Sequence, residues 1–466
     1  MGEKDKRIAE LEALLKLAYD EIKDLKAEIA MLKQIVASLK KNSGNSSKPP
    51  SSDIIKPPKK QKNNQKQKIG AQKGHKQHHR KPFNETEVDK TIILKLETCP
   101  VCGGELQTTN EVPKIHQQIE LVDKPFIITE FQQLIYWCEN CQCFHTAELP
   151  MDIKKSGLFG PKLIALVAYL KGRGHMSYKT IQEFLSDALK VKVSIGFLAK
   201  QVFKASKAIT VPYQELLDQL PQEKHLHIDE TGAKENGKKR WIWCFRGKEI
   251  TVFHVDPSRG SGVLENLLGK DYAGIISSDF WGAYRKFSRF GLVALQFCWA
   301  HLIRELKFLA ESSASHVSSY GERILLAIKM MFLTIHRRDQ ISERNWVRRM
   351  ERHRQMILWE VRQYIPSDKN AKNIAERVWT WQDEYFRFIH AGIPPTNNLG
   401  EQSIRRVVID RKVTQGTRSD WGNRWLERFW SVLSTCEQRD VNVMTFLKSC
   451  VDSYHHGHTP PSILEN

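Results

Sequence analysis

Apolar residues recur every three to four positions from residue 5 to residue 41. One register holds Ile8, Leu15, Ile22, Ile29 and Val36; the other holds Leu11, Ala18, Leu25, Leu32 and Leu39. This repeat predicts a coiled coil, and branched residues in the first register with leucine in the second favour two parallel strands. The flanking charges agree, since Glu21 can meet Lys26 of a second chain and Glu28 can meet Lys33. A single amphipathic helix packed on its own domain is the plainer reading of the same stripe.

The pattern then disappears. Between Lys48 and Lys81 there are eleven Lys or Arg and one acidic residue, with no apolar period. Residues 42–82 therefore read as a disordered basic linker, able to touch phosphates along DNA or simply to keep the chain soluble. Within 83–150, Cys99-Pro-Val-Cys102 and Cys138-Glu-Asn-Cys141 lie on either side of two strand-like runs. Each pair sets two thiolates on one tight turn, and two such turns make a tetrahedral, structural Zn²⁺ site. Cys143 and His145 stand nearby as substitute ligands. Periodicity returns as helices in 151–222. Tyr178 to Leu189 and Ser194 to Ala205 are amphipathic, with Ser194 placed to cap the second. The spacing is that of a helix-turn-helix, or of an ordinary helical hairpin.

From residue 223 the period shortens to two. Leu226-His-Ile-Asp-Glu predicts a short strand ending in acid, and Arg240–Phe245 with Ile250–Val255 predicts a hairpin about Gly247-Lys248. Gly274-Ile-Ile-Ser-Ser-Asp279 is a further strand ending in acid, and Leu292–Trp299 a fifth. Three antiparallel strands, then strand, helix and strand, is the order of a ribonuclease H-like sheet. Residues 223–304 are its first part. Residues 305–392 read as a helical insertion with Arg337, Arg338, Arg348, Arg349, Arg352 and Arg354, and 393–456 as closing helices.

Charge narrows the choice of partner. The 466 residues carry a formal net charge of +19, which points to a polyanion, most often nucleic acid. Five of nine cysteines fall between Cys99 and Cys143, which favours a metal site in a reducing compartment over a disulfide framework. No signal peptide is evident, and the most apolar stretch, Leu158–Leu170, is short and holds Lys162. The expectation is a cytoplasmic protein, nucleoid-associated and without a membrane partner.

Acids at strand ends fit metal-assisted chemistry at phosphorus. Two divalent ions about 3.5–4 Å apart can activate an attacking oxygen and stabilise the leaving one. Mg²⁺ takes hard carboxylate oxygens and keeps several waters, so two or three carboxylates suffice. Asp229 and Asp279 would stand side by side on neighbouring strands, with Glu230 pointing to the opposite face. Glu401 is the best third acid, on a helix that Asn397 or Asn398 can cap, with Arg405, Val408 and Lys412 sharing its face. A surface Glu–Arg pair is the alternative there, and Asp383, Glu384 and Glu427 compete.

The motifs, in order, resemble those of the large transposase of the insertion sequence 66 family, a group of Asp-Asp-Glu transposases. They are the zipper-like N-terminus, Asn45-Ser-Ser-Lys-Pro-Pro-Ser-Ser-Asp53, Gly70-Ala-Gln-Lys-Gly-His-Lys and the paired cysteines. Asp229-Glu-Thr, Asp279-Phe-Trp281-Gly-Ala-Tyr284 and Cys298-Trp-Ala-His301 follow. Asn397-Asn-Leu-Gly-Glu401, Arg411-Lys412 and Ser434-Thr-Cys436 close the series. The resemblance implies that Asp229, Asp279 and Glu401 are catalytic and bind Mg²⁺ or Mn²⁺. It also implies that Cys99, Cys102, Cys138 and Cys141 bind Zn²⁺. His301 is implied near the active site, and Arg405, Arg411 and Lys412 are candidates for DNA contact. Gly232 stands where the family has Pro, and Gln402 where it has a basic residue. The implied function is cleavage and joining of double-stranded DNA at element ends, by a homodimer or larger assembly, with accessory proteins of the same element. The alternatives are a nuclease of the same fold, or an inactive zinc-dependent DNA-binding regulator.

Overall fold

The computed structural model describes residues 83–465, apart from 95, 97–100, 102, 104, 106–114 and 123, together with eight residues between Leu15 and Ile29. Those eight are helical, and Leu15, Tyr19, Ile22, Leu25 and Ile29 among them are exposed. The rest of the expected coiled coil, the basic linker, Cys99 and Cys102 lie outside the described residues.

Residues 58–132 form one unit and the remainder of the chain another. In the smaller unit, a short turn at Glu85–Glu87 is closed by a capping box from Asn84. Phe83 and Gln117 exchange two hydrogen bonds of 2.7 and 2.9 Å. Its described residues carry no strand, so the strand-like runs expected before the second cysteine pair are not seen there. Strands flank that pair instead, in the larger unit. β1 (Ile135–Cys138) and β2 (Cys143–Thr146) are antiparallel, with Cys138 opposite Cys143.

The larger unit continues as mixed α/β. Helices α1 (Met151–Ser156), α2 (Pro161–Gly172), α3 (Tyr178–Leu189), α4 (Ile195–Ala208) and α5 (Thr210–Gln219) come first. Ser194 caps α4 by accepting from Phe197 N, as its position predicts. The sheet follows: β3 (His225–Glu235), β4 (Lys238–Arg246) and β5 (Thr251–Asp256), then α6 (Ser261–Leu268), β6 (Ile275–Ser278), α7 (Gly282–Phe290) and β7 (Ala294–Phe297). Its order is β5-β4-β3-β6-β7; β4 runs antiparallel to both β5 and β3, while β6 and β7 run parallel to β3. β3 is far longer than the five-residue strand expected, because it pairs with β4 out to the turn at Asn236-Gly237. The helix α6 was not foreseen.

Helices α8 (Trp299–Ala310), α9 (Ser315–Ile335), α10 (Glu343–Arg362), α11 (Lys369–Thr380), α12 (Gln382–Phe386) and α13 (Phe388–Ala391) fill the stretch after β7. The chain then enters α14 (Asn398–Thr414), α15 (Asp420–Gln438) and α16 (Val443–His456).

Two packing relations position the site. The first closes the edge of the sheet. An edge strand presents unpaired backbone donors, and on β5 these are Thr251, Phe253 and Val255. Each is taken by a side chain of α15: Thr435 at 3.1 Å, Ser431 at 2.8 Å and Glu427 at 2.7 Å. Four residues along a helix advance about 6 Å and two along a strand about 6.7 Å, so the two periods match. Glu427 is thus a buried acceptor under β5, also paired with Arg424 at 2.7 Å, rather than a rival third acid.

The second lays α14 along β3. At its start, Asn397 does not cap the helix with its side chain as expected. Its amide instead bridges His227 Nδ1 at 3.0 Å and the Ile228 carbonyl at 2.8 Å. Past its end, Gly416 at φ +93° brings the backbone against Lys234, where a Cβ would sit 2.2 Å from that carbonyl. Thr417 N then donates to Lys234 O at 2.9 Å and Asn236 N to Thr417 O at 2.8 Å. Seventeen helical residues span about 26 Å, close to the roughly 27 Å from Ile228 to Asn236 in extended chain.

Candidate active site

Asp229 lies within β3, and Asp279 directly follows β6. His225 pairs with Ile275 and His227 with Ser277, so the same parallel offset brings Asp229 level with Asp279. The third acid, Glu401, sits one turn into α14, near the end tied to Ile228. The Glu401 charge reaches both aspartates. Burial raises the Asp229 pKa well above the usual carboxylate value, and the charges of Glu230, Asp279 and Glu401 raise it further. Burial and the Glu230 charge bring Asp279 to about 7, with Arg259 opposing and Glu401 adding to the rise. These are the directions expected of clustered acids deep in a protein, where each negative charge opposes the others.

Glu401 is held from the α8 side. Arg304 donates to its Oε1 at 3.0 Å, and His301 Nδ1 lies 3.3 Å from the same oxygen. Burial, with the charges of Arg304 and Arg377, lowers His301 to about 3, so its ring is neutral. Cys298, His301 and Glu401 offer ligand atoms all within 4.8 Å of one another. The Cys298 thiol is pushed up to about 11, chiefly by burial, and accepts from Asn397 N at 3.1 Å. The Cys-x-x-His turn and the loop before α14 are therefore one packed unit.

A second layer was not legible in the sequence. Glu230, expected on the opposite face from Asp229, is buried, and its charge raises both Asp229 and Asp279. It accepts from Arg259 at 2.7 Å and from the Tyr284 hydroxyl. The Arg259 guanidinium lies 4.0 Å from the centre of the Trp281 ring, and Trp281 N donates to Asp279 Oδ1 at 3.0 Å. Trp281 and Tyr284 belong to the motif after Asp279, yet only the fold reveals that Trp281 N holds Asp279 while Tyr284 and Arg259 hold Glu230.

The remaining candidates are distributed as follows. Arg411 donates to Thr231 Oγ1 at 3.0 Å, two residues along β3 from Asp229. Arg405 and Lys412 are exposed on α14. Asp383 is exposed and paired with Arg354 at 2.6 Å. Of the arginines singled out between α9 and α11, Arg338 pairs with Glu343, and Arg337, Arg348, Arg349 and Arg352 are exposed. At the second cysteine pair, Cys138, Cys141 and His145 gather their ligand atoms within 4.8 Å, with Cys141 Sγ and His145 Nε2 3.0 Å apart. Backbone and side-chain hydrogen bonds from Cys141 lower the Cys138 thiol, as suits a thiolate ligand.

Among the described residues, no helix is long and apolar enough to cross a membrane.

Comparison with known proteins gives three family matches. Residues 156–424 match the sequence profile described as Transposase IS66 family, a span that contains Asp229, Asp279 and Glu401. Residues 97–142 match the zinc-finger binding domain of transposase IS66, a span that contains Cys99, Cys102, Cys138 and Cys141. Residues 2–81 match a family of unknown function. Two similar proteins of Sinorhizobium fredii are uncharacterized. The chain is 23% identical to y4qI over 339 residues, 66% of this chain and 62% of that one. It is 22% identical to y4hP over 414 residues, 79% of this chain and 72% of that one. The chain thus spans less than two thirds of the first relative's length.

Proposed function

The chain belongs to the insertion sequence 66 family of transposases, and on that premise we propose that it binds the ends of its element as double-stranded DNA and performs metal-dependent strand cleavage and strand transfer. One observation carries the reading. Asp229, Asp279 and Glu401, from β3, the end of β6 and α14, lie close enough that the charges of the last two both raise the pKa of the first. The order of three antiparallel strands followed by strand, helix and strand supports a ribonuclease H-like core. The helices between 305 and 392 read as its insertion.

The donor set fits hard divalent cations. Carboxylate oxygens suit Mg²⁺ or Mn²⁺, and a cluster of partly buried acids opposes itself until a cation joins it. Asp229 and Asp279 would hold both of two ions, and Glu401 would complete the second. Bound there, the ions would activate the attacking oxygen, from water or a DNA 3′-hydroxyl, and stabilise the leaving one. The chain's own part is to fix the acids. Backbone register sets Asp229 and Asp279 level, Trp281 N holds Asp279, and Arg304 with His301 orients Glu401. Arg405, Arg411 and Lys412 supply positive charge for phosphates of the bound strand.

Cys99, Cys102, Cys138 and Cys141 would hold one structural Zn²⁺, with His145 as the neighbouring substitute ligand. The N-terminal heptads would join two protomers, so that one assembly bridges two element ends. Other products of the element would act as accessory proteins, at the nucleoid in the cytoplasm.

The product of the reaction tests this. The full chain, incubated with Mg²⁺ or Mn²⁺ and DNA carrying its element's ends, should give joined strands. Free ends alone would make it a nuclease, and bound but uncut DNA a regulator.

A further inference from the structure

Helix α9 packs against α8 and α10. It buries Tyr320, Ile324, Ala327, Ile328 and Met331. Beside that face, Leu326, Met330 and Leu333 follow at helical spacing in one stripe. They are 61%, 47% and 47% exposed. α10 runs antiparallel to α9, and its register is fixed at both ends. The Tyr320 hydroxyl donates to Val361 O at 2.7 Å, and Thr334 Oγ1 meets His353 Nε2 at 2.9 Å. Trp359 therefore stands level with Leu326, and Met356 with Met330; both are exposed. On each helix the exposed stripe lies beside the residues that join the pair and away from the buried ones, so the two stripes form one apolar strip along the hairpin. An exposed strip of this kind marks an interaction surface.

The charges around the strip select its occupant. Arg323 is paired with Glu360 and Arg338 with Glu343, whereas among the described residues Glu322 and Arg337 have no ion-pair partner. Glu322 lies a turn before Leu326, and Arg337 a turn after Leu333. In an antiparallel pair of α9 helices with its two-fold axis between Lys329 and Met330, Leu326 of each copy faces Leu333 of the other. The same axis sets Glu322 of each copy against Arg337 of the other. Contacts that return on themselves in this way are what a two-fold interface requires. Lys329, beside the axis, can lay its stem along Met330 of the other copy and keep its ammonium in water. A DNA backbone would gain nothing from the aliphatic side chains and would meet the Glu322 carboxylate. We propose that this strip is a homotypic interface, on which two copies of the chain pair through antiparallel α9 helices. The proposal goes beyond the transposase reading. The N-terminal heptads would join two chains without setting how their acid clusters stand, because residues 42–82 intervene; pairing through α9 would set it.

The test is crosslinking of the full chain carrying Met330→Cys, at micromolar concentration, with a short bismaleimide and peptide mass spectrometry. A link from that cysteine to itself can only join two copies. It should be clearly more abundant than the self-link of Leu292→Cys, an exposed position outside the hairpin. Adding Glu322→Arg or Arg337→Glu should cut the self-link by about tenfold or more, since like charges then face each other twice across the axis. Both substitutions in one chain should restore it, and so should mixing the two single variants, because opposite charges meet again. All these positions are exposed, so the variants should fold, as circular dichroism can verify. A self-link no more abundant than that of Leu292→Cys overturns the proposal. A self-link indifferent to the charge changes overturns it too, since pairing elsewhere in the chain would then produce it. Protection of Met330→Cys from maleimide by DNA, with no self-link, would make the strip a DNA-facing surface and also overturn it. None of these results depends on cleavage or joining, so the transposase reading stands or falls separately.

Discussion

Arg304 Nη2 donates to Glu401 Oε1 across 3.0 Å, linking α8 to the acid carried by α14. Both side chains are partly shielded from solvent, at 21% and 33% exposure, so the pair is less screened than a surface one. The contact aims one carboxylate oxygen and leaves the other to a second partner. Arg304→Met should keep DNA binding while raising the Mg²⁺ needed for half-maximal cleavage by about 10–100-fold, the usual cost of removing a group that orients a metal ligand. A metal titration of cleavage reads this directly. An unchanged midpoint would mean that Arg304 does not position Glu401.

The side chains of α15 that take the β5 donors predict a stability effect far from the acids. Ser431→Ala leaves Phe253 N without its acceptor in a buried place. It should destabilise the fold by about 1–3 kcal/mol, the cost of an unsatisfied buried donor. Denaturant unfolding measures it. A loss below about 0.5 kcal/mol, typical of a surface substitution, would show that the edge is not closed in this way.

These two relations mark where sequence reading runs out. The strand order was legible because β3, β4, β5, β6 and β7 each carry a short apolar run bounded by turn residues, charges or acids. So were α3 and the Ser194 cap, where a 3.6 period meets a residue suited to N-caps. Asp229 and Asp279 stood out as acids ending apolar runs. Glu401 stood out less, since a Glu with Arg four residues on is common on any exposed helix; its place early on a helix with a basic face singled it out, and family resemblance strengthened the choice. Arg259 reaches Glu230 across 29 residues of sequence and Arg304 reaches Glu401 across 97, and no local period encodes such pairings. Asn397 looked like a cap because Asn favours caps, but its amide had stronger employment on β3.

The zinc assignment predicts one Zn²⁺ per purified chain. Cys138→Ser should abolish it, as measured by mass-spectrometric metal analysis. Cys143→Ser should not, because that thiol contacts the Cys141 carbonyl rather than joining the gathered ligand set. Full zinc retention in Cys138→Ser would refute the assignment.

The N-terminal repeat predicts that a peptide of residues 5–41 is helical and dimeric at micromolar concentration, by circular dichroism and sedimentation equilibrium. Short helices are marginal alone in water, so helicity should rise with concentration. A monomeric, unfolded peptide would remove the basis for pairing protomers through this segment.

The central claim is that the three acids form one metal-dependent centre for cutting and joining DNA. Strand transfer in vitro with Mg²⁺ or Mn²⁺, comparing the unaltered chain with Asp279→Asn on DNA carrying the element ends, tests it most directly. The account predicts joined products from the unaltered chain, and binding without cleavage or joining from Asp279→Asn. Joined products from both chains at similar rates would contradict it.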